Sequence, residues 1–230
     1  MGHSVRGSPA QRAVSSPSRP TAVVFDLGGV LIDWNPRYLY RSVFGGDEAA
    51  MERFLADVAT AEWNAQQDAG RSWTEAIEAL AQQHPEHRDA IAAFWHRWTE
   101  TLGDAIEPTV AILAELRQTG VRLLALTNWS GETFPLARPR YPFLEWFDAI
   151  VVSGDVRMAK PDVRIFEHLI ERHTLEPAET VFIDDSEANV LAAAGLGLIA
   201  IRFTGAADLR RELVGLGLLR TTKLDARCVS

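Results

Sequence analysis

The sequence contains a single cysteine, Cys228, which leaves no disulfide framework and no cysteine-built zinc site; a reducing cytoplasm is the expected setting. Lysine is almost as scarce. Against 21 arginines there are two lysines, Lys160 and Lys223, which singles out Lys160 as a place where a compact ammonium is wanted rather than a guanidinium. No apolar run approaches the roughly 18 residues of a membrane span, so a soluble protein with no membrane partner is expected. Positive charge is not in excess either: the formal net charge is −8 with acids spread along the chain. That argues against a nucleic-acid partner and leaves room for a metal cation or a small substrate. Residues 1–20, rich in Ser, Pro, Arg and Gly, hold no apolar block long enough for a signal-peptide core and read as a disordered tail; 221–230 read as a second, short one.

What is present is enough for a core of ordinary size with a smaller appended domain: 230 residues, 47% hydrophobic. The organising stretch is TAVVFDLGGVLIDWNP, residues 21–36. Ala22, Val23, Val24 and Phe25 form an apolar run that stops at Asp26 and is followed by Gly28 and Gly29. A strand buried on both faces looks like this when it delivers a carboxylate to a glycine-rich turn. In an open parallel sheet ligands bind at that end of a strand, which makes Asp26 the first candidate for catalysis.

From Arg37 to Leu102 no strand-like run is visible. Apolar residues recur there at helical spacing: Met51, Phe54, Leu55 and Val58; Trp73, Ile77, Leu80 and Ala81; Ile91, Phe94, Trp95 and Trp98. The pattern predicts an insertion of about four helices, with Ser72 and Glu75 spaced as a capping box. After Pro108 the rhythm changes to a helix over 109–118 and then short apolar runs alternating with helical segments, at 122–126, 149–152, 180–183 and 198–201. Such alternation implies a doubly wound, Rossmann-like α/β core with a five-stranded parallel sheet, the first strand included. The core is then split in sequence, 21–34 plus 107–220, around an all-helical insertion at 35–106.

Polar residues of particular kinds follow four of these runs. Asp26 ends the first. Thr127 and Asn128 end the second, where a hydroxyl, an amide and a helix N-terminus suit an anion's oxygens. Lys160 precedes Pro161, at the start of what reads as a helix. Asp184 and Asp185 end the run TVFI together. Capping accounts for one of those acids and not for two, and paired carboxylates at a buried edge call for a cation; Mg²⁺ fits, since it takes oxygen ligands and works beside phosphate. On the capping alternative Asn189 is a surface residue.

The order Asp, Thr-Asn, Lys-Pro, Asp-Asp, each at a strand end, resembles the haloacid dehalogenase superfamily of hydrolases, over nearly the whole chain beyond the first tail. The resemblance implies that the helical insertion is a cap over the strand ends. It also implies an Mg²⁺-dependent phosphatase acting on a small phosphorylated metabolite through an aspartyl-phosphate. In that scheme Asp26 is the nucleophile, Thr127 and Asn128 bind the transferring group, and Lys160 neutralises it and orients Asp26. The metal is held by Asp26, Asp184, Asp185 and the backbone carbonyl of Gly28. Candidates for substrate recognition at the cap and its linker are Trp34, Arg37, Trp63, Asn64 and Asp68.

One position departs from the pattern. Phosphatases of this kind usually carry a second Asp two residues after the nucleophile as general acid and base, and here Gly28 stands there. Either the leaving group needs little protonation, as in a sugar 1-phosphate or an acyl phosphate, or Asp33 or Asp68 takes over the role. Two other readings are a 2-haloacid dehalogenase, which uses the first Asp without metal or general acid, and a non-catalytic protein that binds a phosphorylated ligand. The paired acids Asp184 and Asp185 favour the phosphatase.

Overall fold

The structure, a computed structural model, describes residues 19–221; the expected tails over residues 1–18 and 222–230 lie outside them. Strand β1 (Ala22–Phe25) runs into a short strand β2 (Ile32–Trp34). Five helices follow: α1 (Pro36–Val43), α2 (Glu48–Asp57), α3 (Ala61–Asp68), α4 (Trp73–Gln83) and α5 (Arg88–His96). Strand β3 (Leu102–Ala105) leads back to α6 (Glu107–Gln118), β4 (Arg122–Thr127), the single turn α7 (Phe134–Ala137) and β5 (Ala149–Val152). The chain finishes through α8 (Ser153–Val156), α9 (Val163–His173), β6 (Thr180–Asp184), α10 (Glu187–Gly195), β7 (Ile199–Arg202) and α11 (Ala206–Gly215).

Strand β1 is wholly buried because it is the middle of the five-stranded sheet, order β5-β4-β1-β6-β7, and pairs in parallel with β4 and β6. Its alternate side chains serve two cores. Val23 and Phe25 pack with Leu113 and Leu116 of α6 and Leu209 and Leu213 of α11, while Ala22 and Val24 face Ile165, Phe166 and Leu169 of α9. Phe25 is fully buried, and burial of such a side chain stabilises by about 1.5–3 kcal/mol. The chain leaves β1 for a strand on one side and later returns to its other side, so the crevice at the C-terminal end of β1 is the switch point where doubly wound folds bind ligands.

The helical insertion has its own aromatic centre. Tyr40 and Phe54 (ring centroids 4.9 Å apart), Trp73 and Phe94 (5.3 Å) and Trp63 and Phe94 (5.8 Å) pack across α1 to α5. Pairs of this kind add about 0.5–1.5 kcal/mol beyond burial. The capping box is not formed. Ser72 is the N-cap of α4, but its side chain makes no capping bond. The Trp73 N–H donates to Glu132 Oε1 (3.0 Å) in the loop after β4, and with the Trp73 indole N–H on Ser130 Oγ (3.1 Å) this ties α4 to the rim of the sheet.

Periodicity also gave no strand at the second crossing between sheet and insertion. There, β3 pairs antiparallel with β2, Ile32 opposite Ala105 and Trp34 opposite Leu102, as a two-stranded ribbon outside the main sheet. The segment LGDA has no β-branched residue and owes its extension to the partner strand. Among the described residues no helix is long and apolar enough to cross a membrane.

Candidate active site

Parallel strands bring their C-terminal ends to one edge, and there the polar residues meet. Asp26 follows β1, Thr127 ends β4 and Asp184 ends β6. Lys160, between α8 and α9, is buried among them. Its ammonium donates to the Leu126 carbonyl (2.8 Å) and to Asp184 Oδ2 (2.6 Å) and lies 3.0 Å from Asp26 Oδ1. Three N–H donors thus meet three acceptors. The Pro161-started helix expected here begins two residues later, at Val163, with the Asp162 carboxylate accepting from the Arg164 N–H.

The acids outnumber the cation. One carboxylate oxygen from each of Asp26, Asp184 and Asp185 lies within 4.8 Å of the others. Burial raises the proton affinity of Asp26, with Lys160 pulling against it and Asp184 adding to it. Burial also raises that of Asp185, again with Asp184 adding to it. Three carboxylates beside one ammonium, Asp26 and Asp184 buried and Asp185 at the exposed rim, leave an unbalanced negative charge, and a small divalent ion with oxygen preference would remove it. Asp184 is fixed further by the Ser186 N–H on Oδ1 (2.9 Å) and by the Asn189 amide on both oxygens (3.0 and 3.1 Å). Asn189 is buried and is part of the site, not the surface residue of the capping alternative. Gly29 is required beside Asp185: its φ is +73°, and a Cβ there would stand 2.5 Å from Asp185 Oδ2.

Over this floor is a cavity of about 290 Å³ whose lining includes Asp26, Gly28, Thr127, Lys160 and Asp185 from the sheet side and Trp34, Asn64, Asp68 and Trp98 from the linker and insertion. Trp129 closes one wall. Asp68 and Asn64, on one face of α3, are joined by a hydrogen bond from Asn64 Nδ2 (3.0 Å). Desolvation pushes the Asp68 carboxyl up to about 7, partly offset by the Ser130 backbone N–H.

A haloacid dehalogenase-like hydrolase model matches residues 20–197. The chain belongs to that family. It is 29% identical over 184 residues to a sesquiterpene phosphatase of Aspergillus oryzae, covering 80% of this chain and 89% of that protein. It is 30% identical over 199 residues to a plasmid-borne phosphoglycolate phosphatase of Cupriavidus necator, covering 80% and 81%. Among solved structures, a haloacid dehalogenase family enzyme of Bacteroides thetaiotaomicron in complex with magnesium and inorganic phosphate shares the fold with a TM-score of 0.61 at 24% identity, over 80% of this chain and 93% of that one. So does an L-2-haloacid dehalogenase of Xanthobacter autotrophicus, with a TM-score of 0.57 at 21% identity over 85% and 83%.

Against the expectations for such a hydrolase, four candidates sit elsewhere or do other work. Arg37 is on the surface, where its guanidinium pairs with both Glu52 oxygens (2.5 and 2.7 Å) and staples α1 to α2. Trp63 does not line the cavity; it is buried in the insertion's aromatic centre, stacked on Phe94. The Asn128 side chain accepts the Lys160 N–H (2.8 Å) and donates one of its two amide N–H groups to the Lys160 carbonyl (2.9 Å), so it positions the lysine while still lining the cavity. Asp33 is also outside the cavity, accepting from the Tyr38 hydroxyl (2.5 Å). Trp98 and Trp129 were not foreseen in the wall; Trp129 follows directly on Asn128, a position that could have signalled it.

Proposed function

We propose that this chain is an Mg²⁺-dependent phosphatase that hydrolyses a small phosphorylated metabolite through an aspartyl-phosphate on Asp26. The observation that carries the reading is the cluster at the cavity floor: Asp26 beside the Lys160 ammonium at 3.0 Å and within 4.8 Å of the Asp184 and Asp185 carboxylates. The phosphatase names of the two relatives above support it. Asp26, Asp185 and Asp184, with the Gly28 carbonyl, would hold Mg²⁺, which supplies positive charge against the phosphoryl oxygens when bound.

The chain's own residues do the rest. Asp26 has one carboxylate oxygen on Lys160 and the Leu27 N–H (2.7 Å), which orients the group for in-line attack on phosphorus. The attack splits one difficult hydrolysis into two easier steps. Lys160 offsets the repulsion between an anionic nucleophile and an anionic phosphate, and the Thr127 hydroxyl is placed to bind a phosphoryl oxygen. Water then cleaves the acyl phosphate.

The cavity volume is at the small end for ligand sites, which fits a small metabolite. Its walls include Trp34, Trp98 and Trp129 with Asn64 and Asp68 as polar groups, and Asn64 Oδ1 has no hydrogen-bond partner among the described residues. A leaving group with an apolar face and a hydroxyl, such as the ring of a sugar phosphate, suits that wall.

The test is release of phosphate from an activated aryl phosphate, with Mg²⁺ and with chelator, beside halide release from a 2-halo acid. Phosphate release that disappears on chelation, and that Asp26→Asn abolishes without unfolding the protein, is the expected result. Gly28 in place of the usual second Asp, together with the dehalogenase fold relative, favours dehalogenation as the second reading. Halide release indifferent to chelator would establish it and make Asp184 and Asp185 structural.

A further inference from the structure

If the reading above holds, the reaction still needs a proton for the leaving group, and Gly28 has no side chain to give one. Elimination within the cavity narrows the donor. The titratable side chains that line it are Asp26, Asp68, Lys160 and Asp185, and among the described residues no histidine, tyrosine, cysteine or glutamate does. Asp26 is the nucleophile, Asp185 belongs to the acidic cluster, and the Lys160 N–H groups are committed to Leu126, Asp26 and Asp184. We infer that Asp68, brought over the site by α3 of the insertion, is the general acid and base of this enzyme in place of the residue missing at position 28.

The surroundings of Asp68 fit that work. It is the last residue of α3, where the helix dipole disfavours an anion. Its backbone carbonyl accepts from the Ser153 hydroxyl (2.5 Å), and its carboxyl receives the Asn64 amide (3.0 Å) and the Ser130 N–H, so it is held from both the insertion and the sheet side. These donors are neutral. The charged groups on the elements around it are Asp26, Lys160 and Asp185 across the cavity, Glu132 after β4, and Asp155 and Arg157 from α8 and its end. Among the described residues no cation pairs with it; desolvation governs its proton affinity and pushes it up to about 7, where the acid and the base are both accessible near neutrality.

The steps balance. As an Asp26 oxygen bonds to phosphorus and the P–O bond to the leaving group breaks, the Asp68 carboxylic acid gives its proton to the departing oxygen and becomes a carboxylate. It then takes a proton from the water that attacks phosphorus. The P–O bond to Asp26 breaks, inorganic phosphate leaves, and both side chains return to their starting forms.

The experiment is kcat/KM for wild type and Asp68→Asn across a series from alkyl to activated aryl phosphates in Mg²⁺, with the pH profile of each. Because kcat/KM reports the first step, Asp68→Asn should lose about 10²–10⁴-fold on alkyl phosphates and far less on the aryl ones. For wild type on an alkyl phosphate, kcat/KM should fall as pH rises through about 7, since the acid form is then lost, and that limb should vanish in the variant. A burst of aryl alcohol should accompany Asp68→Asn because the second step is slowed as well. Gly28→Asp, whose new Cβ meets nothing within 4 Å, should restore much of the alkyl-phosphate activity when combined with Asp68→Asn. Equal losses on all leaving groups, or an unchanged pH limb, would overturn the assignment and leave the phosphatase reading standing. No phosphate release from any substrate by wild type would overturn both.

Discussion

Lys160→Met removes the buried ammonium from the acidic floor while keeping the side chain's volume. Met and Lys have similar length, so repacking alone should cost less than about 1.5 kcal/mol. The charge is another matter. The ammonium is within 3.0 Å of Asp26 and 2.6 Å of Asp184, both buried, and its loss leaves two carboxylates without their counter-ion. Breaking a buried pair by deleting one partner costs about 3–5 kcal/mol, a large part of a domain's typical stability of about 5–15 kcal/mol. Urea unfolding in chelator should therefore show a loss of about 3–5 kcal/mol. Mg²⁺ should return more stability to this variant than to wild type, because the added cation replaces missing charge. Combining Lys160→Met with Asp184→Asn should recover part of the loss, since one stranded charge is gone. Turnover should fall by about 10²–10³-fold even where the protein remains folded. A loss under about 1.5 kcal/mol, or a double variant no more stable than the single one, would refute the view that Lys160 is held there by charge.

Gly29→Ala should cost about 1–2 kcal/mol for its left-handed backbone (φ +73°) and also push Asp185 away, raising the Mg²⁺ concentration for half-activity by about 10–100-fold. Gly45→Ala is the control: its φ is +58° and a Cβ there meets nothing within 4 Å, so a magnesium titration should be unchanged although the melting temperature drops. Equal magnesium dependence in the two variants would remove Asp185 from the metal set. Ser153→Ala takes a partner from the Trp129 N–H (2.8 Å) and from the Asp68 carbonyl (2.5 Å), and thermal unfolding should report a loss of about 1–3 kcal/mol. A stability equal to wild type would mean that water or a backbone shift satisfies both groups.

The core and the floor of the site were legible in the sequence for one physical reason. A strand buried on both faces must be apolar until it ends, so the first polar residue after each run marks the sheet edge, and parallel strands put those edges together. Asp26, Thr127 and Asp184 were placed by that rule, and Lys160 stood out through the scarcity of lysine. The ribbon was not legible because LGDA has no strand propensity of its own, while Ser72 takes the N-cap position its spacing marks without its side chain closing the capping bond. Side-chain commitments were hidden as well. Asn128 looks like an anion binder from its position, yet its amide oxygen and one of its two N–H groups are engaged by the Lys160 backbone, a positioning role that position alone does not reveal.

The helical insertion shows where pattern reading stops and packing must be consulted. Trp63 and Asn64 are neighbours on one short helix, and both looked suited to a ligand wall. Turning one residue along an α-helix rotates the side chain by about 100°, from one face to another. On α3 that rotation sends Trp63 into the ring cluster with Phe94 and Trp73, while Asn64, with Asp68 one turn later at i+4, lines the cavity. The helical spacing read from the sequence does not extend to α3, because it carries apolar and polar residues with little segregation, and only its contacts decide which face turns toward the sheet. The same orientation carries the Asp68 carboxyl to the cavity while its backbone carbonyl is anchored by Ser153, so any change that rolls α3 should alter proton transfer and leaving-group preference together.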